Sequence, residues 1–376
     1  MIFMALDHSR DFLTNIRFEP EDIDRTFLAL FLSRWITHFC APAFFLLTGA
    51  GAYVYASRHS TGELRRFLLL RGIWLVALEF TIVGFAWTFH LGWGMFGVIC
   101  CLGISMVGLA LFTYAPRWLI AGTAILLIAG HDAFDKLQPS MFHSGLWLLL
   151  VLHRSGEASI GSWNCFVLFP IIPWFGVALL GYAMGNLLLE HNSESRSVMF
   201  SVGVGSILLF MLLRSTNIYG NPNATLAHST PGEWHYEPTA VKSVMLFLDV
   251  EKYPPSLQYL LMTLGPILMC LAISSKWLSS CWGRVFAAYG RVPLFFYVLH
   301  LYIIHSLAII MGMINLQPVG WLIHGGFFLN EVPEGYGYSL PIVCLVWVAV
   351  VLLLYVPCVW FGRLKQRYPH SLLSYL

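Results

Sequence analysis

The chain begins with an acid–histidine pair at the end of a short apolar run. Residues 1–6 are apolar, and Asp7, His8, Arg10 and Asp11 follow at once. A histidine can serve as a general base near neutral pH, and a carboxylate can fix its tautomer. Neighbouring residues on a helix point about 100° apart, so Asp7 need not be the direct partner of His8. We predict Asp7 and His8 as catalytic residues; the alternative is a polar helix end that faces lipid headgroups.

A second pair of ionisable residues lies inside the apolar run at 28–57. Arg34 and His38 are four residues apart, so they share one face of a helix. Ionisable groups in a membrane helix are costly and usually face the bundle interior or a wet cavity. Pro42 follows His38 by four residues and disturbs the backbone hydrogen bonding there. We predict His38 as a further catalytic candidate and Arg34 as support for an oxyanion. The alternative is a buried pair that only holds the bundle together.

Two other apolar segments contribute residues to a predicted substrate path. In the run 292–313, Tyr297 and His300 share a helix face, whereas His305 lies about 140° round from His300. The two histidines are therefore not expected to bind one metal. One is expected to line a cavity and the other to bond a neighbouring helix, although packing histidines remain the alternative. Glu79 is the one carboxylate deep in an apolar run, and Arg34 is a candidate partner for it.

Polar residues near the ends of the apolar runs are candidates for contacts to an acceptor. Arg214, Lys252 and Tyr253 fall at the outer interface, where an anionic or polyhydroxyl acceptor could bind; snorkelling to headgroups is the alternative. His131 and Asp132 occur at another helix end, in "GHDAFD", and we interpret them as part of a solvated loop.

The composition indicates a membrane protein. Of the 376 residues, 58% are hydrophobic and 11% are charged, against about 25% charged in soluble domains. The net charge of +2 gives no indication of nucleic-acid binding, and the eight cysteines have no zinc-like spacing. We therefore predict an all-α, polytopic integral membrane helix bundle in a single domain over 1–376, with no metal.

Recurring apolar runs predict about 9–10 transmembrane helices. Nine runs cover residues 28–57, 63–89, 93–115, 117–131, 166–189, 197–214, 256–275, 292–313 and 339–362. The six apolar residues before Asp7 would cover about 9 Å of a core about 30 Å thick, so we expect the first helix to be truncated.

The charges predict an orientation. If the helices alternate and the first stub exits outward, the short inner segments carry twelve of the 21 basic residues and three of the 19 acids. The positive-inside rule then places the C-terminus in the cytoplasm. The opposite side has the long segments 132–165, 215–255 and 314–338, which are typical of structured, functional loops.

Several segments together resemble the bacterial DUF1624 proteins, which are related to the heparan-α-glucosaminide N-acetyltransferase catalytic domain. The segments are "MALDHSRDF", "SRWITHFCAPAFFLLTGAGA", "FPIIPWFGVALLGYAMGN", "NIYGNP", "EKYPPSLQYLLMTLGP", "GRVPLFFYVLHLYIIH" and "SLLSYL". Their order and spacing carry the resemblance, which runs from residue 3 to residue 376.

The resemblance implies a transmembrane acyltransferase.

 It would take acetyl groups from cytoplasmic acetyl-CoA and pass them to a sugar or glycan on the outer side of a bacterial inner membrane. His8 or His38 would deprotonate the acceptor, and Arg34 or Tyr297 would stabilise the oxyanion.

The resemblance also implies the partners. Arg65 and Arg66, in an inner segment, would contact the phosphates of the acetyl-CoA donor. Membrane lipid and a glycan acceptor are the expected partners, and a homo-oligomer is left open. Two other functions compete with acyl transfer: a proton-coupled transporter or permease, which intramembrane His, Arg and Glu also suit, and a non-catalytic membrane scaffold.

Overall fold

Helices dominate the part of the chain that the structure describes. The computed structural model describes residues 1–90, 94–134, 155–160, 163–190, 192–221, 232–278, 280–323 and 332–368, with 157–160, 163–164 and 275–278 described by their backbone. The α-helices are α1 (Ile2–Leu13), α2 (Leu28–Trp35), α3 (Cys40–Ala56), α4 (Thr61–Leu78), α5 (Gly84–Thr88), α6 (Val98–Leu111), α7 (Arg117–Gly130), α8 (Ile171–Ala183), α9 (Gly185–Leu189), α10 (Ser193–Thr216), α11 (Ala240–Leu248), α12 (Leu257–Leu278), α13 (Cys281–Gly290), α14 (Pro293–Ile314) and α15 (Leu340–Arg367).

The helices confirm the predicted all-α polytopic membrane bundle. Within the described residues, six helical segments are long and apolar enough to cross a membrane. They are Leu28–Ala56, Thr61–Thr88, Ser193–Thr216, Leu257–Ser274, Pro293–Ile314 and Leu340–Arg367. The shorter helices α6, α7 and α8 occupy the other three predicted runs. α1 continues to Leu13, beyond the predicted stub, and packs against α14 and α15.

A small sheet shortens two of the predicted helices. Strands β1 (Gly94–Phe96), β2 (Gly156–Ile160) and β3 (Trp163–Val167) pair in the order β1-β3-β2, with β1 parallel and β2 antiparallel to β3. The runs predicted as helices from 93 and from 166 therefore become helical only at Val98 and Ile171. Hydrophobicity alone does not separate a short buried strand from the end of an apolar helix.

Pro42 breaks the second membrane segment, as its position predicts. A 3₁₀ turn at Ile36–Phe39 separates α2 from α3. Proline has no N–H to donate, so the carbonyl of His38, four residues earlier, needs another donor. The Tyr259 hydroxyl of α12 supplies it at 2.7 Å. The break thus ties α12 to the turn that carries His38.

Glycines allow two core helices to cross closely. A Cβ on Gly49 of α3 would overlap the backbone of Ala178 in α8, and one on Gly181 would overlap the backbone of Leu46. Small residues at such crossings permit backbone contact in membrane bundles. Gly51, two residues further along α3, has open space around it.

Candidate functional site

A cavity of about 810 Å³ lies between α1, α2, α5, α14, the small sheet and the segment 14–27. The lining combines aromatic side chains with charged ones. The predicted residues that line it are Asp7, His8, Arg34, Lys252, Tyr253 and Tyr297. The tertiary structure therefore gathers six predicted site residues from four separate segments of the chain.

His8 is held by His300 of α14. Its Nδ1 lies 2.7 Å from His300 Nε2, and His300 Nδ1 lies 2.8 Å from the carbonyl oxygen of Phe296. A carbonyl only accepts, so His300 Nδ1 must carry a proton there. In the neutral ring, His300 Nε2 is then the acceptor for the N–H of His8 Nδ1. This leaves a lone pair on His8 Nε2, the form a general base needs.

Asp7 does not orient His8, although a carboxylate can fix the tautomer of a histidine that it contacts. Its Oδ1 and Oδ2 accept hydrogen bonds from Arg34 Nη1 at 3.0 and 3.1 Å, and Oδ1 accepts another from the Thr37 hydroxyl at 3.0 Å. Arg10 also bonds Asp7. Asp7 and His8 point to different sides of α1, as the helix period requires.

Glu21 is a central residue that sequence reasoning missed. It is buried, and its carboxylate accepts from Arg34 Nε at 3.3 Å and lies 2.7 Å from His38 Nε2. Arg34 thereby bridges Asp7 and Glu21, and His38 faces Glu21 rather than the cavity. The sequence does contain an indication of this residue: the acid-rich segment "FEPEDID" lies between two apolar runs, shortly before the intramembrane pair Arg34 and His38.

The segment 14–27 covers the cavity on the side of α1. Arg17 donates to the carbonyls of Thr14, at 2.9 Å, and of Tyr336. The Tyr336 hydroxyl donates to the carbonyl of Phe12 at 2.9 Å. Burial raises the pKa of the Tyr336 phenol, so it remains a neutral donor. These bonds fasten the segment to the chain that precedes α15.

Aromatic side chains surround His8 inside the cavity. The ring centroid of Trp87 lies 4.8 Å from that of His8, and the ring centroid of Tyr297 lies 6.0 Å away, both edge-on. Both side chains line the cavity beside the base. Trp87 was not predicted as a site residue; it lies two residues before the end of the apolar run 63–89, where a tryptophan usually indicates a membrane interface.

Glu79 and His305 lie outside the cavity lining. Glu79 occupies a π-helical turn (Glu79–Val83), where its Oε2 accepts from the backbone N–H of Cys100 at 2.8 Å. It therefore caps α6 and does not pair with Arg34. His305 places its ring nitrogens 2.8 Å from the carbonyl oxygen of Ala86 and 3.0 Å from that of Leu322. It is the histidine that bonds neighbouring segments, as one of the pair was expected to do.

Arg214 is a structural residue in this fold. Its fully buried guanidinium donates to the carbonyls of Leu246 and Asp249 at 2.6 and 2.7 Å, so it closes the end of α11 and does not reach the cavity. Arg65 and Arg66 are exposed on the first turns of α4. About 33 Å of helix separates Arg65 from Trp87, so neither arginine joins the residues around His8.

His131 and Asp132 are buried, so the interpretation of a solvated loop is wrong. Asp132 Oδ2 accepts the backbone N–H of Leu257 at 2.9 Å, and His131 Nε2 lies 2.8 Å from the carbonyl oxygen of Pro255. A carboxylate at a helix N-terminus satisfies an otherwise unpaired N–H. The pair holds the start of α12 against the end of α7.

Comparison with known families decides the relationship. The family described as "Heparan-alpha-glucosaminide N-acetyltransferase, catalytic" matches residues 1–219, more than half of the chain. The chain belongs to that family. No curated protein sequence was found to match it.

This family consists of transmembrane acetyltransferases, and the match confirms the resemblance seen in the sequence. The matched residues of this acetyltransferase-family chain include α1 and α2, with Asp7, His8 and Arg34. Lys252, Tyr297 and His300 lie beyond the match. The cavity is therefore completed by residues outside the matched region, in α14 and in the segment before α12.

Proposed function

We propose that the chain transfers an acetyl group from acetyl-CoA to a hydroxyl or amine of a sugar or glycan acceptor on the outer side of the membrane. The observation that carries the proposal is the hydrogen-bonded series from the Phe296 carbonyl through His300 to His8. It leaves His8 Nε2 unprotonated, and His8 lines the cavity in a member of an acetyltransferase family.

In the proposed reaction, His8 Nε2 takes the proton of the acceptor as the acceptor oxygen or nitrogen attacks the thioester carbonyl. The new C–O or C–N bond forms, and the thioester C–S bond breaks when the tetrahedral intermediate collapses. The proton on His8 then passes to the departing thiolate, which leaves as the free thiol of CoA. General bases of this kind contribute about 10²- to 10⁴-fold to rates.

Tyr297 is the donor that we assign to the oxyanion, because its ring lies beside His8 in the cavity. Arg34 also lines the cavity, but its guanidinium is already committed to Asp7 and Glu21. We assign Arg34 to the placement of α1 and of the segment 14–27. Arg65 and Arg66 stay predicted contacts for the donor phosphates, at the opposite end of α4 from the base.

The test is acetyl transfer by the purified protein in lipid nanodiscs. Radiolabelled acetyl-CoA is supplied with a panel of sugars, and labelled product is separated by chromatography. His8→Ala should lower turnover at least about 100-fold. The control is His305→Gln, a histidine of α14 that does not line the cavity. Equal turnover by wild type and His8→Ala, or sugar uptake into vesicles without any acyl donor, would overturn the proposal.

A further inference from the structure

Lys252 is a buried cation whose hydrogen-bonding capacity is unused. Its side chain lines the cavity and the residue is only 5% exposed. Its Nζ lies 3.9 Å from Asp7 Oδ2, beyond hydrogen-bond distance, and 5.0 Å over the ring of Tyr253. No hydrogen bond of Nζ occurs among the described residues. An ammonium has three N–H donors, and leaving them unsatisfied in a buried site is costly.

Asp7 does not supply the missing contacts: its Oδ1 accepts from Arg34, Thr37 and Arg10, and its Oδ2 accepts from Arg34 and lies 3.9 Å from Nζ. Each arginine also has a second carboxylate of its own. Arg34 bonds Glu21, and Arg10 Nη2 lies 3.4 Å from Asp11 Oδ1. Among the described residues, Lys252 pairs only with Asp7, which it shares with both arginines. It is the cation of this cluster with the weakest pairing.

Arg10 adds a second unused donor on the same side of the cavity. The residue is 3% exposed and lines the cavity, and its Nη1 has no hydrogen-bond partner in the part of the chain that the structure describes. Arg10 and Lys252 contact opposite oxygens of Asp7. Both side chains therefore line the cavity beside Asp7, which is next to His8 on α1.

We propose that Lys252, with Arg10, forms a subsite for an anionic group on the acceptor, so that the preferred acceptor is an acidic sugar bearing a carboxylate or a phosphate. A carboxylate or phosphate oxygen would take the donors that no described residue uses, in charge-assisted hydrogen bonds. Asp7 and Asp11 stand next to the subsite and restrict it to one anionic group. This inference rests on the proposed function, because it names the class of the same acceptor.

The experiment compares acceptors that differ only in the anionic group: methyl β-glucuronide with methyl β-glucoside, and glucose 6-phosphate with glucose. We expect the wild type to show a kcat/KM about tenfold higher for the anionic member of one pair, a ratio typical of one charged hydrogen bond. Lys252→Met should bring that ratio close to one, and Lys252→Arg should keep much of it. The matched control is Lys242→Met, on α11 and away from the cavity, which should keep the full ratio.

Binding is measured separately from turnover, by the shift in thermal midpoint that each sugar causes in the protein in nanodiscs. If no acceptor is acetylated but the glucuronide or the phosphate stabilises the wild type and not Lys252→Met, the subsite stands and the proposed function fails. If acetylation occurs with no anionic preference in either pair, the subsite fails and the function stands.

Two further outcomes also overturn the subsite. One is that Lys252→Met raises the KM for acetyl-CoA and leaves the acceptor ratio unchanged, which would mean that Lys252 binds donor phosphates. The other is that nanodiscs with phosphatidylglycerol, compared with phosphatidylcholine alone, stabilise the wild type through Lys252 while the sugars do not. Lys252 would then hold a lipid headgroup.

Discussion

At the residue scale, the site depends on a histidine that is oriented by another histidine. His8 alone, at the end of an apolar run, is a weak indication of catalysis. The distance of 2.7 Å to His300, together with the bond from His300 to the Phe296 carbonyl, assigns one proton to each ring. His300 touches no substrate in the proposed reaction. It is a positioning residue that determines which nitrogen of His8 faces the cavity.

The first prediction concerns His300→Ala. Because His8 would lose the acceptor that fixes its tautomer, we expect kcat to fall about 10- to 100-fold with little change in the KM for acetyl-CoA. The amide oxygen of His300→Gln reaches the position of His300 Nε2 and can accept a hydrogen bond from His8 Nδ1, so this variant should recover part of the loss. Steady-state kinetics in nanodiscs measure both quantities.

His305→Gln is the matched control on the same helix, since the ring nitrogens of His305 lie beside two carbonyl oxygens outside the cavity. A purely structural role for His300 would give similar losses for His300→Ala and His305→Gln, with no recovery in His300→Gln. That result would contradict the positioning role.

At the element scale, helix breaks and close crossings place the charged residues. The interruption at Pro42 frees the His38 carbonyl for Tyr259, and the π-helical turn at Glu79 turns a carboxylate toward the start of α6. Breaks in membrane helices are tolerated where neighbouring groups satisfy the freed backbone. The crossing of α3 and α8 requires instead that Gly49 and Gly181 carry no side chain.

The second prediction compares two glycines of α3. Gly49→Ala would drive a methyl group into the backbone of α8, which cannot rotate away, so the helices must separate. We expect Gly49→Ala to lower the thermal midpoint by several degrees, from a loss of about 1–3 kcal/mol. Gly51→Ala, two residues along the same helix in open space, should leave the midpoint unchanged or raise it slightly. Equal midpoints for the two variants would contradict the close crossing.

At the scale of the whole molecule, the cavity lies at one end of the helix bundle and exposed arginines lie at the other. The cavity is lined by the ends of α1 and α5 and by the segment 14–27. The exposed Arg65 and Arg66 of α4 lie at the opposite end of the bundle. If the basic end faces the cytoplasm, as we propose from the positive-inside rule, His8 and Lys252 open toward the outer side.

The third prediction tests this orientation with a membrane-impermeant maleimide on spheroplasts. Cys281 is an exposed cysteine at the start of α13, on the side predicted to be cytoplasmic. Asp24 is exposed in the segment over the cavity, so Asp24→Cys reports the outer side. We expect labelling at position 24 in intact spheroplasts and at Cys281 only after permeabilisation, with modified sites mapped by mass spectrometry. The reverse pattern would invert the orientation.

The sequence by itself determined the membrane bundle and much of its helix layout. Long apolar runs have to be helical in lipid, because a helix satisfies its own backbone hydrogen bonds. The same reasoning made the intramembrane residues Arg34 and His38 stand out, since a buried charge needs a partner. It could not identify that partner: Glu79 was a candidate for Arg34, whereas the carboxylates that Arg34 contacts are Asp7 and Glu21.

Only the tertiary structure decided which residues meet. His8 and His300 are separated by 292 positions, and Lys252 comes to Asp7 from a segment outside the predicted helices. The sequence period places a residue on a face of its own helix and does not say which helix faces it. For the same reason Arg214, which looked like a ligand contact, is a buried brace for α11. Hydrophobicity fixes the burial of the helices, whereas the hydrogen bonds that select one arrangement of polar side chains form across elements distant in the chain.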